Sequence, residues 1–383
     1  MTTPIRKKFR PLLLIILDGF GVSLEKLGNP VMEAIQPTIE KLERDFPFAT
    51  LQASGLAVGL PWGKAGNSEV GHLTMGAGKI IYHHLPRIIN AIHDGSFFKN
   101  EAFLKAADHV EKHNSGLHIA GLVSSGSVHS YKEHLYALLD FAREEGIKNT
   151  YLHVFTDGKD APPYKGAKFI KELEMLMQKN WPRAKIASVI GRSYAMDREE
   201  NWAKIRQTYE LLTEGTGEKI TNPPEYINNS YQKGTGDEFI KPAVVVVERG
   251  EPVGLIQNND ALIFFNFRED SMREITTALA SEDFEHFPRK KLQNLLVVTM
   301  TEYKKGFPVL VAFPSLQIDW PLAKILGDAG LKHLHIAETE KYAHVSYFLN
   351  GGEETPFPGE ERILIPSLSD ANFDETPELC FST

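Results

Sequence analysis

A chain of 383 residues, 42% hydrophobic and 24% charged, has globular composition and the length for two or three domains with buried cores, which excludes disorder and fibrous structure. Its 42 Lys and Arg against 50 Asp and Glu leave a net charge of −8, so nothing general attracts it to a nucleic acid or an anionic membrane. Any anion it binds must be met by local cations, and its single cysteine, Cys380, cannot form an internal disulfide, so a reducing cytoplasm is the expected setting.

The opening MTTPIRKKFRPLLLIILDGFG has the basic-then-apolar order of a signal peptide, but its apolar run, residues 12–17, is short, ends in Asp18 and lacks a small-residue cleavage site. The run is therefore read as a buried strand. At 65–72, AGNSEVGH places Ser68 in a turn that opens a helix, either as an N-cap or as a nucleophile whose phosphate would meet free amide groups. A capping box is absent, because Val70 follows Asn67 by three residues and Gly71 follows Ser68 by three.

Further on, LHIAGLV (117–123), YLHVFT (151–156), KIASVI (185–190), ALIFFNF (261–267), LLVVTM (295–300) and VLVAF (309–313) read as strands. Between them HLYALLDFAREEG, KGAKFIKELEMLMQK and NWAKIRQTYELLTEG carry apolar residues at helical spacing, often followed by glycine. Strand and helix in repetition predict an α/β protein with mainly parallel sheets. The segment 220–238, rich in Pro, Asn and Gly, reads as a long loop or hinge, and 79–87 and 306–315 as crossovers between domains. No uninterrupted apolar stretch is long enough to span a bilayer.

Polar residues of interest follow predicted strands, where open α/β sheets bind ligands. Asp18, beside Gly19 and Gly21, is either a cation ligand or a turn-forming Asp-Gly. His129 in SSGSVHS can hydrogen-bond a substrate oxygen or shuttle a proton, and is otherwise a solvated loop residue. TDGKDAPP sets Asp157, Lys159 and Asp160 in one turn, an acid or base beside a cation. Arg192, Arg198, Arg268 and Arg273 hint at a small doubly anionic substrate, with ion pairing to neighbouring acids as the plainer reading of Arg273. Lys341 is a point charge for a phosphoryl group or a surface lysine. There is no Walker A string and no GxGxxG after a strand, and one cysteine argues against a cysteine-based zinc site.

LDGFG, GNSEVGH, VHS, DGKDAPP, GRSYAMDR, FFNFRED and AETEKYAHVSYF, in this order, resemble the cofactor-independent (2,3-bisphosphoglycerate-independent) phosphoglycerate mutases of the alkaline phosphatase superfamily. The likeness runs from about residue 11 onward. It implies a phosphatase-like domain, residues 1–83 and 313–383, interrupted by a substrate-binding domain at 84–312, in a monomer acting on 3-phosphoglycerate and 2-phosphoglycerate. It further implies two Mn2+ (or Mg2+) ions, with Asp18 and Ser68 as ligands. Ser68 would accept the phosphoryl group, Lys341 would steady the phosphoserine, and Asp160 would handle the glycerate protons. His129, Lys159, Asp160, Arg192, Arg198 and Arg268 would grip the substrate.

The chain departs from the family pattern at Lys159, which replaces an arginine, at Ser271, which stands where a second arginine follows Arg268, and at SSGS before Val128. The family's other metal ligands lie in a D-x-x-x-H segment, a D-H pair after a strand and a final histidine, none of which is in this sequence; Asp108-His109 falls in a helical pattern and reads as surface. The expectation is weak metal binding, little unaided mutase activity, and poor solubility from exposed apolar edges.

Overall fold

The computed structural model describes residues 11–23 and 25–367 and divides into two compact units. Cys380 lies outside the described residues. The first unit, Tyr82–Leu316, is built on an eight-stranded sheet. Its strands are β1 (Leu117–Val123), β2 (Thr150–Thr156), β3 (Ala184–Gly191), β4 (Glu218–Ile220), β5 (Ala243–Val245), β6 (Ala261–Phe264), β7 (Leu296–Thr301) and β8 (Leu310–Phe313). Their order is β4-β5-β3-β2-β1-β6-β7-β8, parallel at every pairing except β3 with β5.

Alternation along β1 explains the layering. Leu117 and Ile119 face the helices His84–Asp94, Glu101–His113, Lys132–Glu144 and Gly166–Asn180, while Ala120 and Leu122 face Trp202–Glu214 and Arg273–Ala280. With both faces covered, the strand is apolar almost throughout and buried at six of its seven positions. Chain order runs outward from β1 to β2 and β3 on one side and from β6 to β8 on the other, so the sheet reverses direction between β1 and β6. Ligands of open α/β sheets bind at such a reversal, beyond the carboxyl ends of the strands.

One buried chain of polar groups crosses this sheet. Asp260 Oδ2 lies 3.1 Å from His118 Nε2, His118 Nδ1 lies 2.9 Å from His153 Nε2, and His153 Nδ1 lies 2.8 Å from Ser188 Oγ. A register shift between Leu152 and His153 pairs His153 with Ser188 instead of Ala187, so the irregularity is what aims the serine at the imidazole.

Two readings of the sequence are corrected in this unit. The segment 220–238 is not a long loop: Pro223–Gln232 is a helix, with the Asn222 side chain accepting from Glu225 N and prolines in its first turn. Pro223, Pro224, Tyr226 and Ile227 are buried, so residues that read as punctuation are a proline-led helix start and a packing face. The short strands β4 and β5 were also not expected. Three-residue runs carry too little periodicity to stand out.

The second unit comprises the described residues up to Ile81 and from Gln317. It holds the helices Pro37–Asp45, Ser68–Ala77 and Leu322–Asp328, and a parallel pair of strands, β9 (His333–Glu338) and β10 (Glu360–Ile365). The helix Thr339–Ala343 runs into a π-helical turn, His344–Phe348, and the following Leu349 presses its backbone on Gly76, where a Cβ would sit 1.9 Å from the Leu349 carbonyl oxygen. Neither strand has a buried residue.

Residues 12–17 overturn the reading of LLLIIL as a buried strand. They form no strand, and Leu12, Leu13 and Leu14 are 96%, 78% and 61% exposed. A run apolar on both faces is stable as a strand only between paired neighbours and covered faces, and among the described residues no strand pairs with it. No helix among the described residues is long and apolar enough to cross a membrane.

Candidate active site

In the second unit the question posed by AGNSEVGH has a structural answer. Asn67 is the N-cap, its side chain accepting from Val70 N at 2.9 Å, so Ser68 is the first helical residue and its hydroxyl is released from capping. That hydroxyl donates to Asp18 Oδ2 at 2.5 Å, and the same oxygen accepts from Lys341 Nζ at 2.8 Å. Gly66 is required before it, because a Cβ there would meet the Ala53 carbonyl oxygen at 1.9 Å. Burial opposes the charge on Asp18, but Lys341 and Ser68 more than offset it and lower its pKa. One turn along, buried His72 sets Nδ1 2.8 Å from Ser68 O, and burial lowers its pKa.

The first unit gathers a second cluster where β1, β2, β3 and β6 end. Asp157, directly after β2, is its hub. Oδ1 accepts from the backbone N–H groups of Lys159 and Asp160, both at 3.0 Å, and from Arg192 Nη1 at 2.6 Å; Oδ2 accepts from Ser124 Oγ at 2.5 Å. Burial would raise its pKa, yet Ser124, these amides and Arg192 lower it. Arg192 Nη1 also donates to Asp160 Oδ2 at 2.6 Å; burial works against its charge, and the two carboxylates reverse that and raise its pKa.

His129 is buried, with Nε2 3.6 Å from Asp160 Oδ2 and Nδ1 3.0 Å from Ser271 Oγ. Burial, then the nearby Arg192 charge, pushes its pKa down to about 4, so the imidazole is neutral at neutral pH. Its carbonyl oxygen accepts from Phe267 N at 2.8 Å, tying the β1 loop to the segment after β6. There Asp270 accepts a forked pair from Arg268, at 3.1 and 2.9 Å, and a further bond from Arg198 Nη1 at 2.8 Å. Burial opposes ionisation of Asp270, and Arg268 outweighs it, lowering the pKa. A cavity of about 650 Å³ adjoins these residues, lined in part by Arg198, Asp270, Arg273, Lys304 and Lys305.

The residues read from the sequence thus fall into two groups: Asp18, Ser68 and Lys341 in one unit, and His129, Asp160, Arg192, Arg198 and Arg268 in the other. Lys159 joins through its backbone N–H and not its ammonium. Arg273 differs from its plainer reading as an ion-pair partner of neighbouring acids: its Nε donates to the backbone carbonyl Tyr303 O at 2.8 Å. Sequence reasoning missed the hub role of Asp157 and the bracing roles of Ser124, Asp270 and Ser271. Asp157 carried a signal, standing first after YLHVFT, and Asp270 stands two residues beyond Arg268.

A cluster of arginines and carboxylates beyond a parallel sheet can hold a small polyanion by forked hydrogen bonds, with a neutral imidazole to direct one oxygen. A serine bonded to a carboxylate that also carries an ammonium has the surroundings in which a hydroxyl can act as a nucleophile. Residues 88–305 match the family model described as the N-terminus of BPG-independent PGAM. The chain is 46% identical over 371 residues to 2,3-bisphosphoglycerate-independent phosphoglycerate mutase 1 of Methanosarcina barkeri, covering 97% of this chain and 72% of that one. Its identity to the enzyme of the same name from Moorella thermoacetica is 45%, with the same coverages. A solved structure of Leishmania mexicana phosphoglycerate mutase at low cobalt concentration superposes with a TM-score of 0.64 at 30% identity, over 95% of this chain and 68% of that one. The chain belongs to the 2,3-bisphosphoglycerate-independent phosphoglycerate mutase family.

Proposed function

We propose that the chain interconverts 3-phosphoglycerate and 2-phosphoglycerate through a phosphoserine on Ser68. The observation that carries this reading is the Ser68 hydroxyl, freed from capping by Asn67 and bonded to Asp18 at 2.5 Å with Lys341 on the same oxygen. As the Ser68 Oγ–P bond forms, the hydroxyl proton passes to Asp18 and the P–O bond to C3 breaks. In the return step the 2-hydroxyl attacks the phosphoserine and Oγ leaves, recovering its proton. Asp160 gives a proton to the C3 oxygen as it leaves and takes one back from the 2-hydroxyl as it attacks, and the Lys341 ammonium offsets phosphoryl charge. Arg192, Arg198, Arg268, His129 and Lys159 grip phosphate and carboxylate. The reading divides the chain into a phosphatase-like part, 1–83 and 313–383, and a substrate-binding part, 84–312, and places it in the cytoplasm as a monomer.

The family resemblance also implies two manganese or magnesium ions. Asp18 and Ser68 are hard oxygen donors and the pair from which an ion would be held, but Asp18 Oδ2 is already shared by Ser68 and Lys341. Among the described residues no three His, Cys, Asp or Glu side chains gather to hold an ion. The described donors do not fit a two-ion centre, so the steps above rest on side chains alone. The same observation favours a second reading, a protein that binds phosphoglycerate with slow or no turnover. Incubation with 3-phosphoglycerate and Mn2+, without bisphosphoglycerate, separates them. Phosphate on Ser68 by mass spectrometry together with 2-phosphoglycerate in an enolase-coupled assay supports the mutase. Saturable binding without phosphoserine supports the second reading, and absence of both overturns each.

A further inference from the structure

We infer that Ser271 is a positioning residue that holds His129 in one tautomer, with the proton on Nε2, so that the ring presents a donor on its Asp160 side. This rests on the reading of the β1, β2, β3 and β6 cluster as the phosphoglycerate grip. Ser271 is 2% exposed and His129 3%, so water does not freely serve either group. The 3.0 Å contact between Ser271 Oγ and His129 Nδ1 has two possible directions. Among the described residues the Ser271 hydroxyl has no other hydrogen-bond partner. If Nδ1 donated, the serine's own hydrogen would be buried without an acceptor. If the serine donates to Nδ1, both groups are satisfied.

The other side of the ring gives the same answer independently. Nε2 lies 3.6 Å from Asp160 Oδ2, an oxygen that already accepts from Arg192. A bare Nε2 lone pair would face an acceptor there, whereas an Nε2–H turns a donor toward it, available to a substrate oxygen that enters between them. Ser271 is itself fixed: its N–H donates to Asp270 Oδ1 at 2.8 Å, and Asp270 is anchored by Arg268 and Arg198. A short hydroxyl therefore stands in this chain where an arginine would bring a second fork, and it acts through the imidazole instead of touching an anion directly.

The test combines a spectroscopic signature with binding. In the wild-type chain, nitrogen-15 shifts of the His129 ring should report a neutral imidazole protonated on Nε2. Ser271→Ala should give a tautomer mixture and weaken 3-phosphoglycerate about 5- to 20-fold by calorimetry, and Ser271→Thr should restore both. A ring protonated on Nδ1 in the wild type, or an Nε2–H ring unchanged in Ser271→Ala, overturns the inference. If the fixed tautomer is found and lost as expected but the wild type binds no phosphoglycerate, the positioning role is upheld and the substrate reading it rests on is refuted.

Discussion

Two apolar runs of similar composition meet opposite fates in this chain. LHIAGLV becomes the central β1 of an eight-stranded sheet, paired on both edges and covered on both faces, whereas LLLIIL forms no strand and is exposed. Packing density and chemistry divide along the same line. The densely packed unit holds the arginine and carboxylate cluster, and the thinly packed one holds Ser68, Asp18 and Lys341. The difference teaches that an apolar run is an offer of burial, which only strands elsewhere in the chain can accept.

The largest expected effect tests the chemical side of that contrast. Ser68→Ala should lower mutase turnover at least about a thousandfold and abolish phosphoserine, with 3-phosphoglycerate affinity within about twofold of wild type by calorimetry. A comparable loss of affinity would break the division of roles. Next, Arg192→Ala strands Asp157 and Asp160; it should cost about 3 to 5 kcal/mol in denaturant unfolding and weaken phosphoglycerate at least about tenfold. The packing contrast is sharpened by two truncations. Phe103→Ala, in the core of the dense unit, should cost about 3 to 5 kcal/mol, and Leu13→Ala less than about 0.5 kcal/mol. Amide exchange should agree, with slow exchange along 117–123 and fast exchange along 12–17.

A further effect is on pH. His129 has a folded pKa of about 4, below its ordinary value of 6.5, so the unfolded chain binds the proton more readily. Its contribution to stability is complete above about pH 6.5, declines as pH falls toward about 4, and changes no further below that. Asp157, with a depressed pKa, contributes above the ordinary carboxylate range and is lost only at lower pH. His129→Gln should flatten the upper part of the stability profile of this unit and leave the acid limb in place. An unchanged profile would show that His129 is not held neutral.

Much of the dense unit was legible because each long strand is a covered apolar run ending in a polar residue. His129, Asp160 and Arg192 could be placed at strand ends without knowing the strand order. The order itself, and hence which strand ends are neighbours, depends on pairings far apart in sequence. Asp157 and Asp270 were hard to weigh for a related reason: their importance lies in partners 33 to 35 and 72 residues away, such as Ser124, Arg192 and Arg198. Pro223 and Pro224 misled because proline both breaks helices and starts them, and only Asn222 and Glu225 tell the two apart. LLLIIL misled because its local pattern is that of a central strand.

The polar chain from Asp260 through His118 and His153 to Ser188 bears on how the sheet reaches its correct pairing. Apolar parallel strands look alike to one another, and collapse alone distinguishes a right alignment from a shifted one poorly. Here a shift between neighbouring strands would leave two buried imidazoles and a carboxylate unmatched, a penalty felt only in the wrong alignment. The chain thus acts as a proofreading mark for assembly, discriminating among misfolded competitors even where it adds little to the stability of the finished sheet.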